Sequence, residues 1–257
     1  MNKHFDPPSA GAAAKRIETL RRQSGDLACV ESVNRIAARL DHAMEHRSAD
    51  DWNPPFRIAI IGGTGAGKSA IFNALIARPD ASPPGVTRPT TGEPVVWMHP
   101  SDRKWMAGVF GAREYKEVQA PQSGLVVVDT PDLDSFRTEH KDIARSVVQE
   151  ADLIVVVAIE EKYANSDILK EVREWSTRKR WFFVLNKADM IARAGEDPEA
   201  VREGMLKRLK DIGFDTQDGT HFVVSATWRD EFEFGRLREA ILVDRDRKTI
   251  DALRSEH

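Results

Sequence analysis

The segment Gly62-Gly63-Thr64-Gly65-Ala66-Gly67-Lys68-Ser69 constrains this chain more than any other stretch. It follows the apolar run Arg57-Ile58-Ala59-Ile60-Ile61, which has strand length, and precedes a run from Ala70 to Ile76 that reads as a helix. The spacing G-x-x-x-x-G-K-[ST] carries meaning only in that setting, between a strand and a helix. Glycines there let backbone N–H groups wrap a chain of phosphates, and the helix that follows adds the favourable end of its dipole. Lys68 is placed to bridge β- and γ-phosphates, and the Ser69 hydroxyl to ligate Mg2+. The candidate phosphate-binding residues are therefore Gly62, Gly63, Thr64, Gly65, Ala66, Gly67, Lys68, Ser69 and Ala70.

Around that loop, runs of strand length alternate with helix-like stretches: Phe56 to Ile61, Pro94 to Met98, Leu125 to Asp129, Leu153 to Ile159, Trp181 to Leu185 and Phe222 to Ser225. Near-continuous Val/Ile runs with helices between them predict a mostly parallel six-stranded sheet covered on both faces, an α/β fold in three layers. His99 to Ser123 fits neither period and reads as a surface excursion. Within it, Trp105-Met106 is either a core boundary or a partner surface. The 257 residues suffice for one such domain and an appendage.

The appendage is expected at the start. From Ser9 to Arg47 the chain is rich in Ala, Leu, Arg and Glu, and Val30, Val33, Ala37, Leu40 and Met44 form one apolar helical stripe. Gly25-Asp26 breaks the run into two helices, and Asn53-Pro54-Pro55 ends it. A flap packed on the main domain and a dimerising arm both fit that stripe. The organisation read from sequence is a helical extension over 1–54, a nucleotide-binding domain over 55–244 and a polar tail over 245–257.

Composition narrows the setting. A net charge of −3 with 31% charged residues of mixed sign gives no strong nucleic-acid signal. The single Cys29 excludes an intramolecular disulfide and a Cys-based metal cluster, so a reducing, cytoplasmic location is expected. No run approaches the roughly 20 apolar residues that span a bilayer; a peripheral place at the inner face of a membrane stays open.

A phosphate loop alone does not select a base. Asn186-Lys187-Ala188-Asp189 does, because it follows the strand Trp181-Phe182-Phe183-Val184-Leu185 at the carboxyl edge of the sheet. The Asp189 carboxylate can accept from both N1–H and the 2-amino group of guanine, whereas adenine would leave it unpaired. Lys187 would cover the base, and Asn186 would tie the loops together. Ser225-Ala226 ends the last strand, where a backbone N–H is placed to meet a base oxygen. Asp129-Thr130-Pro131 closes the strand Leu125 to Val128 and puts a carboxylate near Ser69. Pro84-Gly85-Val86-Thr87-Arg88-Pro89-Thr90-Thr91 is the candidate switch, with Thr91 favoured for Mg2+ and Thr90 next. The candidate metal set is Ser69, Thr91 and Asp129, and the candidate catalytic set is Lys68, Arg88 and Thr91.

In this order the five elements resemble the translation-factor-related P-loop GTPases, particularly the Era-like and bacterial dynamin-like branch, over roughly Arg57 to Ala226. Arg88-Pro89-Thr90-Thr91, Asp129 to Ser135 and Lys162-Tyr163-Ala164 are similar to bacterial GTPase domains often attached to membrane-spanning helices. The resemblance implies a G domain that binds GTP or GDP with Mg2+ and hydrolyses GTP. It also implies a molecular switch acting on a regulatory or membrane-embedded partner protein, and leaves a nucleotide-dependent dimer open. The chain departs from the family in two places. Asp132 stands where relatives have a hinge glycine, and Leu133 stands where the Ras type has a water-orienting Gln. Arg88 lies three residues before Thr91, the spacing of an arginine finger supplied in cis. A nucleotide-dependent scaffold with little hydrolysis is the competing expectation, and an ATP-using enzyme is the reading that Asp189 opposes.

Overall fold

A computed structural model describes residues 54–83, 93–111, 113–133, 138–159, 169–170, 173–174 and 179–255. The chain divides into the units Met1–Asn53 and Pro54–His257. Of the helical extension expected over 1–54, all but Pro54 lies outside the described residues, as do the switch Pro84 to Thr91 and Lys162-Tyr163-Ala164.

Seven strands form one sheet in the order β3-β2-β4-β1-β5-β6-β7. These are β1 (Phe56–Gly62), β2 (Val95–Met98), β3 (Lys116–Gln119), β4 (Leu125–Asp129), β5 (Leu153–Ala158), β6 (Arg180–Leu185) and β7 (His221–Val223). β1 lies between β4 and β5, parallel to both, with Ile60 opposite Asp129 and Val155. The β5, β6 and β7 pairings are also parallel, whereas β2 runs antiparallel to β4 and parallel to β3.

The Val/Ile runs alternate between two cores because successive strand residues face opposite ways. Ala59, Ile61, Val126, Val128, Ile154 and Val156 pack on one face, against α3 (Thr138–Glu150) and α5 (Pro198–Asp211). Ile58, Ile60, Val127, Val155 and Val157 pack on the other, against α1 (Lys68–Leu75) and α6 (Phe234–Ser255). The remaining described helices are α2 (Ala107–Phe110) and α4 (Ala188–Arg193). Three layers result, as the strand pattern requires.

Two features differ from the sequence reading. The excursion His99 to Ser123 contains a 3-10 helix (Pro100–Met106), α2 and the seventh strand β3. β3 carries no apolar alternation because it is an edge, guarded by charge: Arg103 makes a two-pronged pair with Glu117 at 2.7 and 2.8 Å, and the Lys116 ammonium donates to Ala81 O at 2.8 Å. Met106 is 2% exposed and belongs to the core rather than to a partner surface. The polar stretch after Asp244 continues α6 to Ser255, so a boundary at 244 falls inside a helix. Ion pairs hold that helix where apolar residues do not: Arg180 donates to Asp244 at 2.9 Å, and Lys248 reaches Asp152 at 2.8 Å and Pro55 O at 3.2 Å.

Candidate nucleotide-binding site

The sequence-derived site residues within the described regions lie at the carboxyl ends of β1 and β4, in the short segments just beyond β1, β6 and β7, or in the first turns of α1 and α4. β1 ends at Gly62, where an added Cβ would lie 2.3 Å from Val157 O, so no side chain fits there. Gly67 has φ +91° and starts α1, and a Cβ on it would meet the Asn186 amide at 2.3 Å. Both positions demand glycine, one for close strand approach and one for a left-handed turn against a neighbouring side chain.

Asn186 is the joint between the loops. It is 2% exposed; its Nδ2 donates to Ala66 O at 3.0 Å, and its Oδ1 accepts from Ala226 N–H at 3.2 Å. The Ala226 N–H, read from sequence as the group facing a base oxygen, is thus turned to Asn186 here. Ser225 Oγ accepts from the N–H groups of Thr227 and Trp228, closing the last loop on itself. Lys187 has φ +64°, an uncommon conformation for a residue with a side chain, and it turns the chain into α4 so that Asp189 sits in the first helical turn. Beside it, the Arg193 guanidinium stacks on the Trp228 ring at 4.4 Å, with Trp228 and Met190 exposed.

The phosphate end holds a cluster of oxygens. Ser69 Oγ donates to Asp129 Oδ2 at 2.7 Å, and so does Ser82 Oγ, also at 2.7 Å. Ser82 is fully buried, and its backbone is clamped by the Asn73 side chain through bonds of 2.7 and 2.8 Å. Burial pushes the Asp129 carboxyl above its ordinary value, against the Ser69 bond, the Lys68 charge and the Ser82 bond; Asp132 adds to the upward push. Asp129 Oδ1 is buried without a partner. An orphaned carboxylate oxygen beside two hydroxyls is a hard, all-oxygen set, and it fits magnesium.

Sequence reasoning found Lys68, Ser69 and Asp129 but missed Ser82. The 47 residues separating Ser82 from Asp129 carry no spacing signal. It also missed that the Lys68 ammonium pairs with Asp132. Leu133 is 2% exposed and packs in the core, with its N–H bonded to Gly62 O at 3.3 Å. Its position is structural, which accounts for the missing amide. Arg88, Thr90 and Thr91 lie outside the described residues.

A glycine loop between β1 and α1, with carboxylates at the ends of neighbouring parallel strands, defines a P-loop nucleotide-binding domain. The family model for 50S ribosome-binding GTPases matches residues 57–187, half of the chain, and the chain belongs to that family of P-loop GTPases. It is 28% identical over 211 residues to the probable transmembrane GTPase FZO-like, chloroplastic, of Arabidopsis thaliana, an alignment covering 75% of this chain and 21% of that relative. The chain therefore spans about a fifth of that relative's length. Two solved structures share the fold. Era, in complex with MgGDPNP and nucleotides 1506-1542 of 16S ribosomal RNA, has a TM-score of 0.52 and 19% identity over 74% of this chain and 56% of that one. An oligomerised bacterial dynamin pair that provides a mechanism for the long-range sensing and tethering of membranes has a TM-score of 0.52 and 16% identity over 94% of this chain and 52% of that one.

Proposed function

We propose that this GTPase reads guanine through Asp189, binds GTP and GDP with magnesium, and acts as a molecular switch on a partner protein or membrane-associated complex. The observation that carries the reading is Asn186, which bonds both the phosphate loop and the Ser225-Ala226 loop, so that base site and phosphate site form one unit. Gly62 to Ala70 take the phosphates, with loop N–H groups and Lys68 as donors. Ser69, Asp129 and Thr91 hold magnesium, which when bound neutralises charge between the β- and γ-phosphates. Lys187 covers the base, while Ser225 and Ala226 wall its far side.

Hydrolysis in this reading is electrostatic and slow. Leu133 orients no water, so Arg88 supplies the additional positive charge on the leaving oxygens from the switch Pro84 to Thr91. The membrane or protein partner is supported by the likeness to a transmembrane GTPase and a dynamin pair. Multiple-turnover phosphate release tests the reading. Magnesium-dependent release from GTP and not ATP is expected, slowed about tenfold or more in Arg88→Ala at unchanged GTP affinity. Parental rates in Arg88→Ala would remove the finger, and equal turnover of ATP would remove the base assignment. GTP binding without turnover would favour the competing scaffold, a reading that the buried Leu133 also supports.

A further inference from the structure

We infer that Asp132 is a specificity-determining residue that biases this site toward GDP over GTP, because its carboxylate stands in for a γ-phosphate on Lys68. The inference rests on the guanine-nucleotide reading above.

Lys68 is 6% exposed, and its ammonium has two partners: the Asp132 carboxylate, and Gly63 O at a long 3.4 Å. A buried ammonium must find an anion, and in a phosphate loop the anion expected is a phosphate oxygen. Here the chain provides its own. Asp132 side-chain exposure is 18%, so the pair is largely shielded from water and salt.

The carboxylate is also held in place. On one side Thr130 donates twice to Ile60 O, through its N–H at 3.2 Å and its hydroxyl at 2.9 Å. On the other, Leu133 N–H donates to Gly62 O while the Leu133 side chain is buried in the core. Asp132 is thus pinned between two residues bonded to the end of β1. Its backbone cannot swing as a glycine hinge would without loosening Leu133 from the core.

The local charge explains the bias. The Asp129 carboxylate lies within reach of the charges of both Asp132 and Lys68, and Asp132 is paired with that one ammonium. A diphosphate brings only its β-phosphate to Lys68, whose ammonium has three donors and can keep Asp132 as a partner beside it. A triphosphate brings further negative charge to the position where Asp132 already satisfies Lys68. Either the like charges oppose each other or the Lys68–Asp132 pair breaks, and both disfavour GTP relative to GDP.

The test is the affinity of the parental protein, Asp132→Asn, Asp132→Gly and Asp132→Glu for fluorescent GDP and for a non-hydrolysable GTP analogue, in magnesium. Thermal melts establish folding. The parental protein is expected to bind GDP more tightly than the analogue. Removing the charge in Asp132→Asn and Asp132→Gly should raise the analogue-to-GDP preference about tenfold or more, where each tenfold step is about 1.4 kcal/mol, while Asp132→Glu keeps the parental preference. A parental preference for the analogue would overturn the inference whatever the variants do. So would a ratio within about twofold of the parent in a folded neutral variant. Failure of the parental protein to bind GDP at all would instead strike the nucleotide assignment itself.

Discussion

Asn186 joins parts of the chain that lie far apart in sequence, bonding Ala66 on one side and Ala226 on the other. Asn186→Ala strips a partner from each of these groups in a buried setting, at a cost of about 1–3 kcal/mol. A lower denaturation midpoint together with weaker guanine-nucleotide binding in fluorescence titration is expected; unchanged values of both would contradict the joint. Residues of this kind are legible in sequence when the chemistry needs fixed spacing. Lys68 and Ser69 are adjacent, and Asn186 and Asp189 are three apart, because each pair serves one loop. Ser82 reaches Asp129 only through the fold, and the Asp132 pairing with Lys68 is likewise tertiary. The sequence exposes Asp132 as an unusual residue without disclosing which cation it takes.

At the scale of elements, strands buried on both faces are legible because they must be mostly apolar, as β1, β4, β5 and β6 are, with Arg57, Asp129 and Arg180 at or next to strand ends. β3 is hidden because a charged edge strand looks like a loop, and the far end of α6 is hidden because ion pairs anchor it. β7 carries a pH-sensitive element. His221 lies opposite Phe183 in the sheet, and its Nδ1 is buried with no hydrogen-bond partner. Burial first, and then the Arg202 charge, push its imidazole below the ordinary value, while Asp218 and Glu233 pull the other way. The folded state therefore resists a proton that the unfolded chain accepts. Stability from this group is complete above the unfolded value of about 6.5 and declines as pH falls through that range toward the depressed folded value. Denaturation midpoints measured across that window should fall less in His221→Gln than in the parental protein; parallel declines would show that His221 contributes nothing to the acid sensitivity.

For the whole molecule, the two apolar faces hold the described candidate nucleotide loops at one edge of the sheet, where Asn186 bonds the phosphate loop to the Ser225-Ala226 loop. The α/β class follows from the order of runs along the chain. The strand order and the reversed β2–β3 edge do not, because they depend on which strands pair. Among the described residues no helix is long and apolar enough to cross a membrane. The central claim is that Asp189 makes this a guanine site. Nucleotide competition against bound fluorescent GDP in the parental protein and Asp189→Asn tests it most directly. Because a site built on such bonds rejects a mismatched base by orders of magnitude, Asp189→Asn should lose GTP affinity by about two to four orders and gain affinity for xanthosine triphosphate. Unchanged GTP affinity in that variant would contradict the account.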